Sequence, residues 1–184
     1  FLAFGIVFVS SVVYLWKRNT WWDALAHSSA EIGVVFATLI LLTGTIWMRP
    51  VWGVWWTWDP MLTTFLILWL VYLGYLLIRS YSIEPDRRAR FSAIVGILGS
   101  VNAIAVYLAS ELWRTIHPNK VIGPAAEENA LDPSIQVGIF VSFIAIFLLF
   151  TYTITFRARL QAAVEQVASL RSQLDDLLHD RDRR

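Results

Sequence analysis

The chain has 184 residues, of which 57% are hydrophobic and only 16% charged, and its mean hydropathy is positive at +0.57. Soluble domains carry roughly 25% charged residues, so this balance excludes a disordered tail, a basic nucleic-acid binder and an ordinary cytosolic enzyme, and leaves an integral membrane protein. A net charge of +1 gives no overall field to recruit polyanions, and the lack of cysteine removes disulfides, thiolate ligands and thiol nucleophiles. Phe1 rather than Met opens the chain inside an apolar run, so further sequence is expected to precede it.

A helix needs about 20 mostly apolar residues to cross the hydrocarbon core, and only a helix or a closed barrel satisfies its own backbone there. Five runs qualify: 1–16, 28–48, 61–78, 91–112 and 135–156. The first is short, so either it tilts little or its outer end is cut away, and the cut is the expectation; it lacks the basic flank and the small-residue cleavage site of a signal peptide. The expected fold is all-α, a polytopic helical bundle over 1–157 followed by a tail over 158–184. Positive charge marks the cytoplasmic side. Lys17, Arg18, Arg79, Arg87, Arg88, Arg90, Arg157 and Arg159 fall on one set of connections, and only Arg49, Arg114 and Lys120 on the other. The rule puts Phe1 outside and Arg184 inside, so that 49–60 and 113–134 face the exterior, in a bacterium the periplasm.

In the fourth run Ser92, Gly96 and Ser100 recur every four residues with Gly99 beside them, a stripe of small residues suited to close helix packing. Asn102 and Glu31 are costly against lipid and are expected to face protein or water. In the tail, Leu160, Ala163, Val167, Leu170, Leu174 and Leu177 step by three and four, the seam of a short cytoplasmic coiled coil. Such a helix is marginal alone and pairs with a partner, lies on the membrane, or extends into solvent.

The first exterior segment carries Arg49, Trp52, Gly53, Trp55, Trp56, Trp58 and Asp59. A single Trp at a membrane boundary is commonly an anchor. Four within seven positions, with a glycine among them, are more than an anchor needs and offer wide π faces to a flat apolar ligand. Asp59-Pro60 also reads as a helix start, with Asp at the N-cap and Pro in the first turn. The second exterior segment brings Trp113, Arg114, His117 and Lys120. His117, the one histidine expected outside, supplies an imidazole for iron, and the flanking cations supply partners for carboxylates. His27 and His179 are expected inside and are not read as ligands. No phosphate-binding glycine loop, H-E-x-x-H motif or credible Ser-His-Asp set is present in the sequence.

At the tryptophan-rich segment a resemblance emerges. The run from Trp52 to Asp59 is similar to the W-G-x-W-W-x-W-D signature of haem-handling proteins in cytochrome c maturation. Leu62-Thr63-Thr64, together with 112–117, resembles its CcmC branch, the haem exporter protein C family. The resemblance covers roughly 1–157 and implies a six-span inner-membrane protein, of which five spans are present here. It implies that non-covalently and transiently bound haem b is presented in an exterior pocket to the haem chaperone CcmE, with CcmA, CcmB and CcmD as partners and no nucleic acid. By position, 52–59 would form the haem platform and His117 an axial iron ligand. The family's first exterior axial histidine has no counterpart, as though the amino-terminal span and loop were missing. The resemblance implies a basic residue at position 61, where this chain has Met61.

Three functions compete at this level. The leading expectation is a non-enzymatic haem-transfer protein, with Trp55, Trp56 and Trp58 stacking on the porphyrin, His117 on the iron, and Arg49, Arg114 or Lys120 on the propionates. A haem lyase joining haem to apocytochrome thiols shares the tryptophan motif. A permease for a hydrophobic substrate would show broken helices and polar groups at mid-membrane, for which Asn102 is the sole candidate.

Overall fold

A computed structural model describes residues 1–81, 84–113, 116–117 and 131–182. Five helices follow in chain order: α1 (Leu2–Lys17), α2 (Thr20–Trp52), α3 (Pro60–Ser80), α4 (Pro85–Leu112) and α5 (Pro133–Asp182). Among the described residues there is no strand. Four of the helices are long and apolar enough to cross a membrane; α1, with 16 residues, is shorter. The protein is an all-α, polytopic membrane bundle.

Both ends of α2 differ from the hydropathy reading, and α4, expected from 91, begins at Pro85, ahead of its apolar run. α2 was expected over 28–48 but begins at Thr20, where Asn19 caps it by accepting the Trp21 N–H at 2.8 Å. Arg18, in the left-handed region at φ 53°, ends α1, so a two-residue turn joins α1 to α2. Capping side chains, invisible to a hydropathy window, set that start. At the other end α2 runs on to Trp52, so Arg49 and Trp52 belong to its last turn rather than to an exterior loop. Pro50 lies in the last turn, where it gives up the N–H bond to the Ile46 carbonyl, and the helix ends three residues later at Gly53 with φ 75°, whose N–H reaches the Arg49 carbonyl. The last span and the tail are one continuous helix, α5.

The core lies among α1, α2, α3 and α4, around the fully buried Tyr72 and Tyr75 of α3. Phe4 of α1 stacks on Tyr72 with centroids 4.2 Å apart. The small stripe of α4 is what admits these rings. Ser100 Oγ lies 2.8 Å from Tyr72 Oη and donates to the Phe4 carbonyl at 2.9 Å. A Cβ on Gly99 would stand 2.8 Å from Tyr72 Cε2, and one on Gly96 would stand 2.9 Å from Val7 Cγ1. Because the Tyr72 ring is stacked on Phe4 and held at its hydroxyl by Ser100, Gly99→Ala is expected to destabilise the bundle by about 1–3 kcal/mol through overpacking, measured by thermal unfolding in detergent. An unchanged transition would show that α4 can shift at no cost.

The Arg-rich end is tied by charge pairs from one face of α2. Asp23 accepts a two-pronged bond from Arg79 of α3 at 2.6 and 2.7 Å, and Arg79 also lies over the Tyr75 ring. Glu31 accepts from Arg157 of α5 at 3.0 and 2.7 Å, so its expected position against protein holds. His27, one turn from each carboxylate, lies 3.6 Å from Glu31 and bonds Gln161 of α5. Spacing of four places Asp23, His27 and Glu31 on one stripe, and α5 packs on α2 along it. Asn102 also meets protein, donating to the Thr64 carbonyl of α3 at 3.0 Å.

Candidate functional site

The aromatic end is built where the end of α2, the start of α3 and the segment after α4 converge. Trp52 in the last turn of α2 packs edge-on between Trp47, at 5.3 Å and 83°, and His117, at 5.2 Å and 74°. Gly53 turns the chain away from α2 through a conformation that side chains rarely adopt. Trp56 and Trp58 then meet edge to face at 5.9 Å. Trp55 and Trp58 are 57% and 76% exposed, so their faces are available to a ligand. Arg49 places its guanidinium 5.9 Å from the Trp55 centroid and donates to the Gly53 carbonyl, a cation held over the indole shelf.

Asp59 is the hinge pin of this arrangement. Its side chain caps α3, accepting the Met61 N–H at 3.1 Å, with Pro60 in the first turn as its sequence predicts. The same carboxylate accepts the Ile116 N–H at 3.1 Å and lies 3.2 Å from His117 Nδ1. It is buried, only 7% exposed. A carboxylate on Nδ1 favours the tautomer protonated there, which puts the ring's lone pair on Nε2. Anchoring the ring at one nitrogen while orienting the other is how a metal-ligating imidazole is held. Among the described residues no group of three or more His, Cys, Asp or Glu side chains gathers to cage a bare ion. A single oriented imidazole beside flat aromatic faces suits a metal whose other positions a macrocycle fills.

The structure thus brings Arg49, Trp52, Gly53, Trp55, Trp56, Trp58, Asp59 and His117 to one end of the bundle. Trp113 caps α4 and is exposed, but among the described residues it packs against none of the other tryptophan rings. Arg114 and Lys120 lie outside the described residues. Trp47 was missed by the sequence reading because it falls inside a hydrophobic span; its distance of five residues from Trp52 becomes meaningful only once α2 is known to continue that far. The backbone of Ile116 was missed because no side-chain pattern reports a backbone donor.

Fold and site together define a polytopic membrane protein that displays an indole shelf and a carboxylate-anchored imidazole at one membrane boundary. The family model described as "Heme exporter protein C" matches residues 1–173, and the chain belongs to that family. It is 35% identical over 168 residues to heme exporter protein C of Rhodobacter capsulatus, covering 88% of this chain and 69% of the relative. The protein of the same name from Bradyrhizobium diazoefficiens is 36% identical over 149 residues, 80% of this chain and 56% of the relative. That from Escherichia coli K12 is 31% identical over 136 residues, 71% of this chain and 53% of the relative. The chain therefore spans between about half and two thirds of the lengths of these relatives.

Proposed function

We propose that this protein binds haem at its aromatic end and hands it on for c-type cytochrome maturation, as a carrier rather than an enzyme. Membership of the haem exporter protein C family supports a role in haem export. The observation that carries the reading at the level of residues is the Asp59 to His117 contact, which fixes an imidazole beside Trp52 and the tryptophan loop. Haem is the cargo here. His117 Nε2 would ligate its iron, the exposed Trp55 and Trp58 faces would cover the porphyrin, and Arg49 would pair with a propionate. Axial ligation and stacking are reversible, as transfer requires. Neither needs a thiol, and the chain has none.

The same reading places the protein in a bacterial inner membrane. The indole shelf is then periplasmic and the Arg-rich end cytoplasmic, in line with the distribution of positive charge. The haem chaperone CcmE would receive the cargo, and CcmA, CcmB and CcmD would complete the machinery. The test is a haem titration of the detergent-purified protein and its His117→Ala variant. The variant is expected to lose haem affinity at least tenfold and to shift the Soret band. An identical band and affinity would remove His117 from the iron and overturn this assignment.

A further inference from the structure

Asn102 is out of place in a membrane span, because a side-chain amide is costly among lipid tails unless protein satisfies it. It stands on α4 and donates to the Thr64 carbonyl of α3 at 3.0 Å. That carbonyl lies inside α3, where it also serves the helix's own ladder, so the Asn102 bond is extra to what the backbone needs. Its effect is therefore on where α3 lies against α4, and its loss would strand no buried acceptor.

Thr64 belongs to the stretch of α3 that carries the site. Its hydroxyl donates back to the Pro60 carbonyl at 2.7 Å and to the Met61 carbonyl at 3.1 Å, which ties it to the capped start of the helix. Asp59 is that cap, about 7.5 Å along the helix from Thr64 at 1.5 Å per residue. Its carboxylate meets Ile116 N–H at 3.1 Å and His117 Nδ1 at 3.2 Å, contacts that a slide of about 0.5 Å stretches beyond bonding distance. Deeper in the bundle Tyr72 is bonded to Ser100, but about two turns of α3 separate Tyr72 from Thr64. Over those turns α3 and α4 share an apolar cluster that includes Leu68, Ala103 and Val106, and apolar attraction is non-directional and fixes no height. Asn102 adds a directional contact there.

We propose that Asn102 is a positioning residue for the aromatic end: by holding Thr64 it fixes the start of α3 against α4, so that Asp59 stays within reach of Ile116 and His117. This role rests on the haem-binding reading, in which the His117 ring must be held ready for iron. The size of one bond bounds the effect, since a cross-helix hydrogen bond in a membrane bundle shifts an equilibrium by about threefold to tenfold.

Asn102→Leu removes the bond and keeps much of the volume, whereas Asn102→Gln keeps an amide that reaches the same carbonyl through a change of rotamer. Amide hydrogen exchange at Ile116, resolved residue by residue on the haem-free, detergent-purified chain, is expected to be about threefold to tenfold faster in Asn102→Leu than in the parent. The Trp21 N–H, held by Asn19 at the opposite end, is the internal reference and is expected to be unchanged. Affinity in a haemin titration is expected to fall by a similar factor with the thermal transition unmoved, and Asn102→Gln is expected to restore both exchange and affinity. Parent-like exchange in Asn102→Leu would overturn the role. So would equal acceleration in both variants, which would make side-chain volume the cause, or a lowered thermal transition, which would make Asn102 a plain support of the bundle. Faster exchange at Ile116 with unchanged haem affinity would uphold the positioning and overturn instead the part of Asp59 and His117 in haem binding.

Discussion

Asp59→Asn is expected to fold and yet to bind haem about 10–100-fold more weakly, the usual cost of losing the group that orients a metal-binding histidine. The carboxylate has two acceptor oxygens and, among the described residues, serves three groups: Oδ1 takes Ile116 N–H, while Oδ2 takes Met61 N–H and faces His117 Nδ1. An amide has one acceptor oxygen. Whichever way it turns, either the Ile116 bond or the pair at Met61 and His117 is lost. With the amide oxygen facing Met61 the cap survives and stability changes little, but His117 then meets a neutral acceptor in place of a carboxylate and the Ile116 N–H beside it loses its bond to residue 59, so the hold on the ring is weakened. Asp59→Ala removes all three contacts and is expected to lose a further ~1 kcal/mol of stability with the cap. Haem titration beside thermal unfolding separates the two roles. If Asp59→Asn bound haem as the parent does, Asp59 would be a helix cap alone.

Arg79→Met is expected to be the most destabilising single change at the opposite end, by about 3–5 kcal/mol. The Arg79 and Asp23 side chains are 4% and 13% exposed, so removing the cation strands a nearly buried carboxylate. The double variant Asp23→Leu/Arg79→Met removes both charges and is expected to recover most of that loss, since an apolar pair of similar volume commonly matches a buried ion pair. Detergent unfolding of the two variants measures the difference. Equal losses in the single and double variants would mean that the pair itself, rather than the stranded charge, holds α2 to α3.

The class of fold was legible because lipid imposes a coarse rule, that a spanning helix must be long and apolar, and composition reports such a rule directly. The Asp59-Pro60 helix start was legible too, since an N-cap acts on residues adjacent in sequence. The small stripe of α4 announced close packing but not its partners. That Gly96 faces Val7 and Gly99 faces Tyr72 depends on how α1 and α3 lie against α4. The true length of α2 was hidden because a hydropathy window ignores caps and reads Asp23, His27 and Arg49 as the end of a span.

The sequence by itself determined that this is a helical membrane protein with its tryptophans concentrated near one boundary, because hydropathy and aromatic content are properties of each segment alone. Only the tertiary structure decided that Asp59 touches His117, 58 positions away, and that Trp52 lies against the same ring. It also decided that α5 spends one face on α2 and leaves its seam uncovered. Those facts follow from how α2, α3, α4 and α5 pack, and packing sums many weak long-range contacts that no single stretch of sequence contains.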